Sequence, residues 1–455
     1  MDRPARSRDP RRRRPSAPGD RRAAPHRGRD AGPRGPGRRH AAGARGTARV
    51  RRDRGAAAGR VVRGRAAAAP RARAVATAVL AAAVLVGCGT GDDGRASAAP
   101  DPTRPTVTDT LPTTDTLPTT TLPATTKTPE GTLLVADFGS DTVTFVDPEK
   151  GPVDSVKVGQ APYGLTVGED GRAWVATAEG VAVVDTVTRK RVDRIPYETE
   201  TASGTGPVTT GEYRGGGMGI ALAPDGEHVY VGVNVPGGDG TLEVIDTGER
   251  EVTDTVPVGR RPFDVDVSQD GREIYATGHD SFDVTVVRAD SLEPRRIDVA
   301  PYGTEGGLGS WLKPHYAAVR PADGKLLLPF EGEKLVVLDP RTGEYDVEKM
   351  TANTHQHGVT VTDDGTLYAV GTGPIDPDAD EGPSLTVRTK SGKERVIPLD
   401  GPHEDVAVSE DGRTVYVTGG FTRDGYWNGI SVVDTEDGSV RRLPAGERPL
   451  GIAVL

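Results

Sequence analysis

The chain has 455 residues and a single cysteine, Cys88. No disulfide can form within it, and no cysteine-rich zinc or iron–sulfur site can be built. C-x-x-C-H is absent as well, which excludes covalently attached c-type haem. No Ser-His-Asp order and no phosphate-cradling glycine loop stands out; the Gly-Gly pairs belong to turns. Lysine is missing from the first 87 residues, which carry 24 Arg against five Asp. The remainder, from Cys88 onward, holds 33 basic and 61 acidic residues, a formal charge of −28 that the whole-chain value of −9 hides. Such a body repels a phosphate backbone, so nucleic acid is not an expected partner, whereas cations and basic surfaces are favoured.

No apolar run is long enough to cross a bilayer with ease. The longest, Ala74–Val86, spans 13 residues, follows Arg71 and Arg73, and ends in Leu85-Val86-Gly87-Cys88. Basic flank, short apolar core and small residue before the cut are the grammar of a secretory signal. The ending resembles the lipobox of bacterial lipoproteins, in which the cysteine is lipidated and the mature chain stays anchored. This resemblance implies lipidation at Cys88, a membrane partner through the lipid, and a location on the outer face of the cell membrane. The alternative is an ordinary secretory signal with an incidental cysteine. Residues 1–70 are Arg, Ala, Gly and Pro with few large apolar side chains and are expected to be a disordered basic leader. Translation starting downstream, near Val61 or Val62, would remove most of it. Residues 89–130 are rich in Thr and Pro, with TLPTT at Thr110–Thr114 and Thr116–Thr120, and read as an extended spacer.

From 131 to the end the sequence is periodic. Asp-Gly recurs at Asp170, Asp225, Asp270, Asp323, Asp364 and Asp411, at intervals of 55, 45, 53, 41 and 47 residues. Each pair lies between two β-rich runs, the pattern of a tight hairpin. A third run then ends in an acidic turn, as in Val146-Asp-Pro, Val184-Asp-Thr and Val433-Asp-Thr, and a fourth follows. Four short strands per unit of about 40–50 residues describe a propeller blade. The repeats begin without an inner strand and stop on one, Pro449–Leu455. The reading is therefore an all-β, seven-bladed β-propeller closed by the C-terminal strand, expected to be a monomer, with inner strands beginning near Pro162, Gly217, Pro262, Pro314, His355, His403 and Pro449.

The run Leu134-Val-Ala-Asp-Phe-Gly-Ser-Asp-Thr-Val-Thr-Phe-Val-Asp-Pro, the later Val-Gly-Gln-Ala-Pro-Tyr-Gly-Leu-Thr-Val, and Val415-Tyr-Val-Thr418 resemble the YVTN repeat of the YncE-like propellers. The resemblance extends over all seven blades and implies their fold. Some members are described as binding DNA, against which the charge of −28 argues. Motif residues of this kind build blades rather than a site.

The long insertions, 197–216, 302–313, 371–382 and 420–429, fall on the face opposite the Asp-Gly hairpins and carry Tyr197, Tyr213, Tyr302, Trp311, Tyr426 and Trp427. Exposed aromatics on loops at one mouth suggest a binding surface; the alternative is loops that pack locally. Aligned inner strands place Tyr163, Met218, Phe263, His315, His357, Glu404 and Leu450 at one shared position, with His355 and His403 slightly further out and His279 in a nearby loop. Tyr163, Met218, Phe263, His279, Trp311 and Trp427 are thus expected to line a ligand mouth. His315, His357, Glu404, His355 and His403 are expected to offer imidazole and carboxylate ligands to Zn²⁺ or Cu²⁺. A polar structural cluster and a catalytic site remain the alternatives. The leading function is a non-catalytic surface protein binding a metal ion, a small ligand or a protein partner. Its rivals are a metal-dependent lactonase- or hydrolase-type propeller using Asp264, Glu404 and Asp405, and a redox accessory protein, since quinone and amine dehydrogenases share the architecture.

Overall fold

The computed structural model describes residues 131–201, 213–304, 312–330, 333–373, 381–420 and 425–455. The leader, signal, Cys88 and spacer lie outside them, as does Trp311. The described chain is all β: 28 strands in seven four-stranded antiparallel sheets, each a blade. Blade 2 shows the plan, with strands Leu165–Val167, Arg172–Thr177, Gly180–Asp185 and Lys190–Ile195 running from the centre outward. The second and third strands are buried on both faces and read as apolar runs. The outermost carries Lys190, Arg191 and Arg194 into solvent. Each neighbouring pair of blades shares a buried apolar cluster; Trp174, Val183, Ile220 and Val231 fill the one between blades 2 and 3.

The repeated acidic residues have a local cause. At all six Asp-Gly hairpins the glycine adopts φ between +70° and +85°, where a side chain would be strained. The preceding aspartate accepts the backbone N–H two residues on, as Asp170 does from Arg172 at 3.0 Å and Asp364 from Thr366 at 2.9 Å. Aspartates of the outer turns do the same: Asp147 accepts from Glu149 and Asp434 from Glu436.

Blade 1 takes its inner strand from the C-terminus. Pro449–Val454 pairs antiparallel with Leu133–Asp137, with Val135 opposite Ile452 and Leu133 opposite Val454. The ring closes as the sequence implies.

One feature of the inner strands decides what faces the centre. In blades 1, 3, 4 and 6 the ladder is interrupted by a bulge, which falls on Leu450-Gly451, Met218-Gly219, Phe263 and His357-Gly358. In blades 2, 5 and 7 the ladder begins only beyond Tyr163, His315 and Glu404. A bulge re-aims a side chain out of the strand's alternation. The glycine after it lets the next inner strand come close: a Cβ on Gly219 would lie 2.5 Å from the Asp264 backbone. Backbone cannot yield as a flexible side chain can. Gly219→Ala is accordingly expected to lower stability by about 1–3 kcal/mol, read as a lower denaturant midpoint at unchanged slope; an unchanged midpoint would contradict this packing.

Candidate functional site

The shared inner-strand residues converge, but on a filled centre rather than an open mouth. Tyr163, Met218, Phe263, His315, His357, Glu404 and Leu450 are all at most 5 % exposed. Tyr163, Tyr213, Phe263 and Tyr316 meet edge to face at centroid distances of 5.3–5.5 Å. The cleft left beside them, lined by Phe138, Ala161, Tyr163, Tyr213 and Met218 among others, is about 10 Å³, too small for a ligand. Tyr163 and Phe263, expected to line a mouth, thus form a plug with the loop residue Tyr213 and with Tyr316. Burial of the four rings outweighs the openness that the loop position of Tyr213 suggested, and it pushes the Tyr163, Tyr213 and Tyr316 hydroxyls well above the usual phenol range.

Beside the plug lies a histidine cluster. His315, His355 and His357 each bring a ring nitrogen within 4.8 Å of the others, and all three are buried. His315 Nε2 stands 3.3 Å from His355 Nε2 and 3.2 Å from His279 Nε2. The His315 and His357 rings stack at 4.3 Å. His315 is held well below the ordinary imidazole range, first by burial and then by the three neighbouring rings. Burial likewise takes His279 down to about 3, partly offset by Asp280.

Carboxylates fix two of these rings from behind. His357 Nδ1 lies 3.0 Å from Glu404 Oε1, which also accepts from Tyr316 Oη at 3.1 Å, and Tyr316 Oη is 3.0 Å from Tyr163 Oη. His279 Nδ1 lies 2.8 Å from Asp280 Oδ1, and that carboxylate is held by Lys313 Nζ at 2.8 Å and Arg261 Nε at 3.2 Å. With Nδ1–H donated to a carboxylate, each ring is left with its lone pair on Nε2. His357 Nε2 is buried without a hydrogen-bond partner. A buried acceptor left without a partner costs about 1–3 kcal/mol unless something binds it.

Other expected residues are placed elsewhere. Glu404 reaches the cluster through His357 Nδ1, behind the converging nitrogens rather than among them. His403 is turned away: its nitrogens lie 2.8 Å from Gly401 O and from Ser431 Oγ, and its ring packs against Trp427. Trp427 in turn lies under Arg442 and belongs to this rim packing. Asp264 and Asp405 accept backbone N–H groups from the next inner strands, of Ala317 at 2.8 Å and Ile452 at 3.3 Å. They stitch blades together, which removes them from an open catalytic channel. Sequence reasoning passed over Tyr316, Lys313 and Asp280, although two of them directly follow a singled-out histidine. A second group, Asp225, Glu227 and His228, sits largely exposed at a hairpin, where Asp225 already accepts the Glu227 N–H.

Fold and site together define a seven-bladed β-propeller with a buried histidine–carboxylate network at its centre. No protein-family model matches the sequence, and no curated protein matches it. Solved structures do. A functionally unknown protein from Desulfotomaculum acetoxidans is 12% identical over 71% of this chain and 98% of its own, with a TM-score of 0.54. The periplasmic gluconolactonase of Pseudomonas aeruginosa is 17% identical, again over 71% and 98%, with a TM-score of 0.51. Virginiamycin B lyase from Staphylococcus aureus is 16% identical over 70% and 92%, with a TM-score of 0.49. At such identities the likeness to the first two bears on the fold alone.

Proposed function

We propose that this chain is a non-catalytic, YVTN-type propeller that holds a transition-metal ion, Zn²⁺ or Cu²⁺, at His315, His355 and His357, and that it is tethered outside the cell membrane through a lipid on Cys88. The observation that carries the metal reading is the convergence of three buried imidazoles, one of them with a buried, unpartnered Nε2. Imidazole suits Zn²⁺ and Cu²⁺, whereas Mg²⁺ and Ca²⁺ want oxygen ligands. Histidines that ligate metals characteristically give their other ring N–H to a carboxylate, as His357 does to Glu404. The anchor and the Thr/Pro spacer are supported by the Leu-Val-Gly-Cys motif and the composition that follows it. A lactonase-type reaction is not favoured, because Asp264 and Asp405 are spent on backbone N–H groups and the plug leaves no room for a substrate.

Metal analysis of the purified, chelator-treated and reloaded protein is the test. One equivalent of Zn²⁺ or Cu²⁺ per chain is expected. The double variant His315→Ala/His357→Ala should lose at least the roughly 10–100-fold in affinity that follows loss of a ligand's outer partner alone. Absence of bound metal in the parent, or equal affinity in the double variant, would dismiss the reading.

A further inference from the structure

We propose that His279 is a fourth nitrogen ligand, closing the metal site with imidazole on every side and leaving no position for water. This rests on the reading that His315, His355 and His357 hold the ion, and it extends that reading to what the site does with its cargo.

The argument starts from His315 Nε2, which has two nitrogen neighbours, His279 Nε2 at 3.2 Å and His355 Nε2 at 3.3 Å. A ring nitrogen owns one lone pair or one N–H. It cannot make two ordinary hydrogen bonds to two further ring nitrogens. An ion resolves the conflict: two nitrogens at about 2.0–2.1 Å from one tetrahedral Zn²⁺ lie roughly 3.3–3.4 Å apart, the spacing of these two pairs, through which His279 joins the group of His315, His355 and His357.

The tautomer of His279 agrees. Its Nδ1 faces Asp280 at 2.8 Å. Asp280 is bonded to Lys313 and Arg261 as well, so it is an ionised acceptor occupied by cations and is not available as a ligand itself. The proton therefore sits on Nδ1, and the lone pair on Nε2 faces His315. Phe263 stacks on the ring at 5.1 Å and 25° and holds its plane. His279 follows the second strand of blade 4, Glu273–Gly278, whereas the other three histidines precede or lie in the inner strands of blades 5 and 6. One ion would join three blades.

The consequence is chemical. Sites that activate water keep one position open, and closed sites hold the ion. Four neutral imidazoles select a borderline ion such as Zn²⁺ or Cu²⁺, with Asp280 and Glu404 supplying compensating charge from the outer layer. A closed site suits storage or delivery of the ion rather than hydrolysis.

Co²⁺ is the probe. The parent protein should bind one Co²⁺ with the intense visible bands of a four-coordinate ion, unchanged between about pH 6 and pH 9. His279→Ala should still bind it, with water in the vacated place, and its spectrum should then titrate as the metal-bound water ionises, near pH 7 in the zinc case. Asp280→Asn, which keeps the shape of the side chain, guards against a folding defect and should weaken Zn²⁺ binding roughly 10–100-fold at unchanged stoichiometry. A pH-dependent spectrum in the parent, a parent-like pH-invariant spectrum in His279→Ala, or undiminished affinity in Asp280→Asn would overturn the fourth ligand while leaving the three-histidine reading standing. Failure of the parent to bind either Co²⁺ or Zn²⁺ would instead bring down that reading, and the fourth ligand with it.

Discussion

Removal of residues 449–455 is expected to abolish cooperative folding. The segment supplies the whole inner strand of blade 1. It contributes Leu450 to the central plug and Ile452 to the cluster that joins blades 7 and 1, where Leu133, Val135, Tyr416 and Val432 are its neighbours. Full burial of each such side chain is worth about 1.5–3 kcal/mol. The Ile452 N–H is also the partner of Asp405, so its loss strands a carboxylate on an inner strand. Against a total stability of about 5–15 kcal/mol for a domain, these losses are decisive. The strand Leu133–Asp137 would be left with an unpaired, apolar edge, a template for association. Light scattering behind size exclusion should show aggregates, and thermal melting should lose its sharp transition; a monomer with the parent's melting temperature would refute ring closure by this strand.

The second large effect is expected in acid, for the metal-free protein. Burial holds His279 at about 3 and His403 at about 4, and His315 well below the ordinary value of 6.5. For these groups the unfolded chain takes up protons first as the pH drops. Their contribution to stability is full above 6.5 and is lost as the pH falls toward the folded values. At about 1.4 kcal/mol per pH unit, His279 alone stands for a loss of about 5 kcal/mol. Five aspartates, Asp137, Asp264, Asp266, Asp283 and Asp405, and Glu243 act in the opposite sense. Burial raises Asp137 and Asp405 to about 7 and Asp264 to about 6, so their contribution is full below about 4 and is lost as the pH rises through those values. Between about 4 and 6.5 the two sets oppose one another. Below about 4 the carboxyls have finished, while His279 still resists protonation. The turn aspartates Asp147, Asp185 and Asp411, lowered by their hydrogen bonds, add to the loss there. Urea titrations from pH 3 to pH 8 should show no loss of stability between pH 6.5 and about pH 4, and then a fall of at least about 1.4 kcal/mol per pH unit. Stability unchanged down to pH 3 would show that the histidines are not buried and neutral as described.

Much of this fold could be read from local chemistry. Asp-Gly at φ near +75° and aspartates that cap outer turns are requirements of single turns, so the sequence carries them openly, and their spacing counts the blades. The same residues account for part of the acidic excess that suggested attraction of cations; many of those carboxylates are building turns. The shared position of His315, His357 and Glu404 was readable because aligned repeats share a register. What stands behind each residue was not. Whether Glu404 meets an ion or the back of His357 depends on a ring orientation, and whether His403 faces inward depends on Ser431, 28 residues away. The aromatic plug was hidden for a similar reason: Tyr163, Tyr213, Phe263 and Tyr316 come from different blades, and only the closed ring brings them together.

The inner-strand bulges have a wider consequence. Leu450, Met218, Phe263 and His357 stand outside the alternating ladder with no residue opposite them, and Tyr163 and Glu404 join their own sheets only through the backbone N–H, donating to Ala176 O and Thr418 O. The sheets use at most the backbone at these positions, and the chemistry is written in the side chains. A lineage can therefore exchange the contents of the centre one residue at a time, imidazole for phenol or carboxylate for methyl, without rewriting the blades that carry them. The present arrangement, apolar and phenolic on one side of the ring and imidazole and carboxylate on the other, is one setting among many that the same scaffold permits.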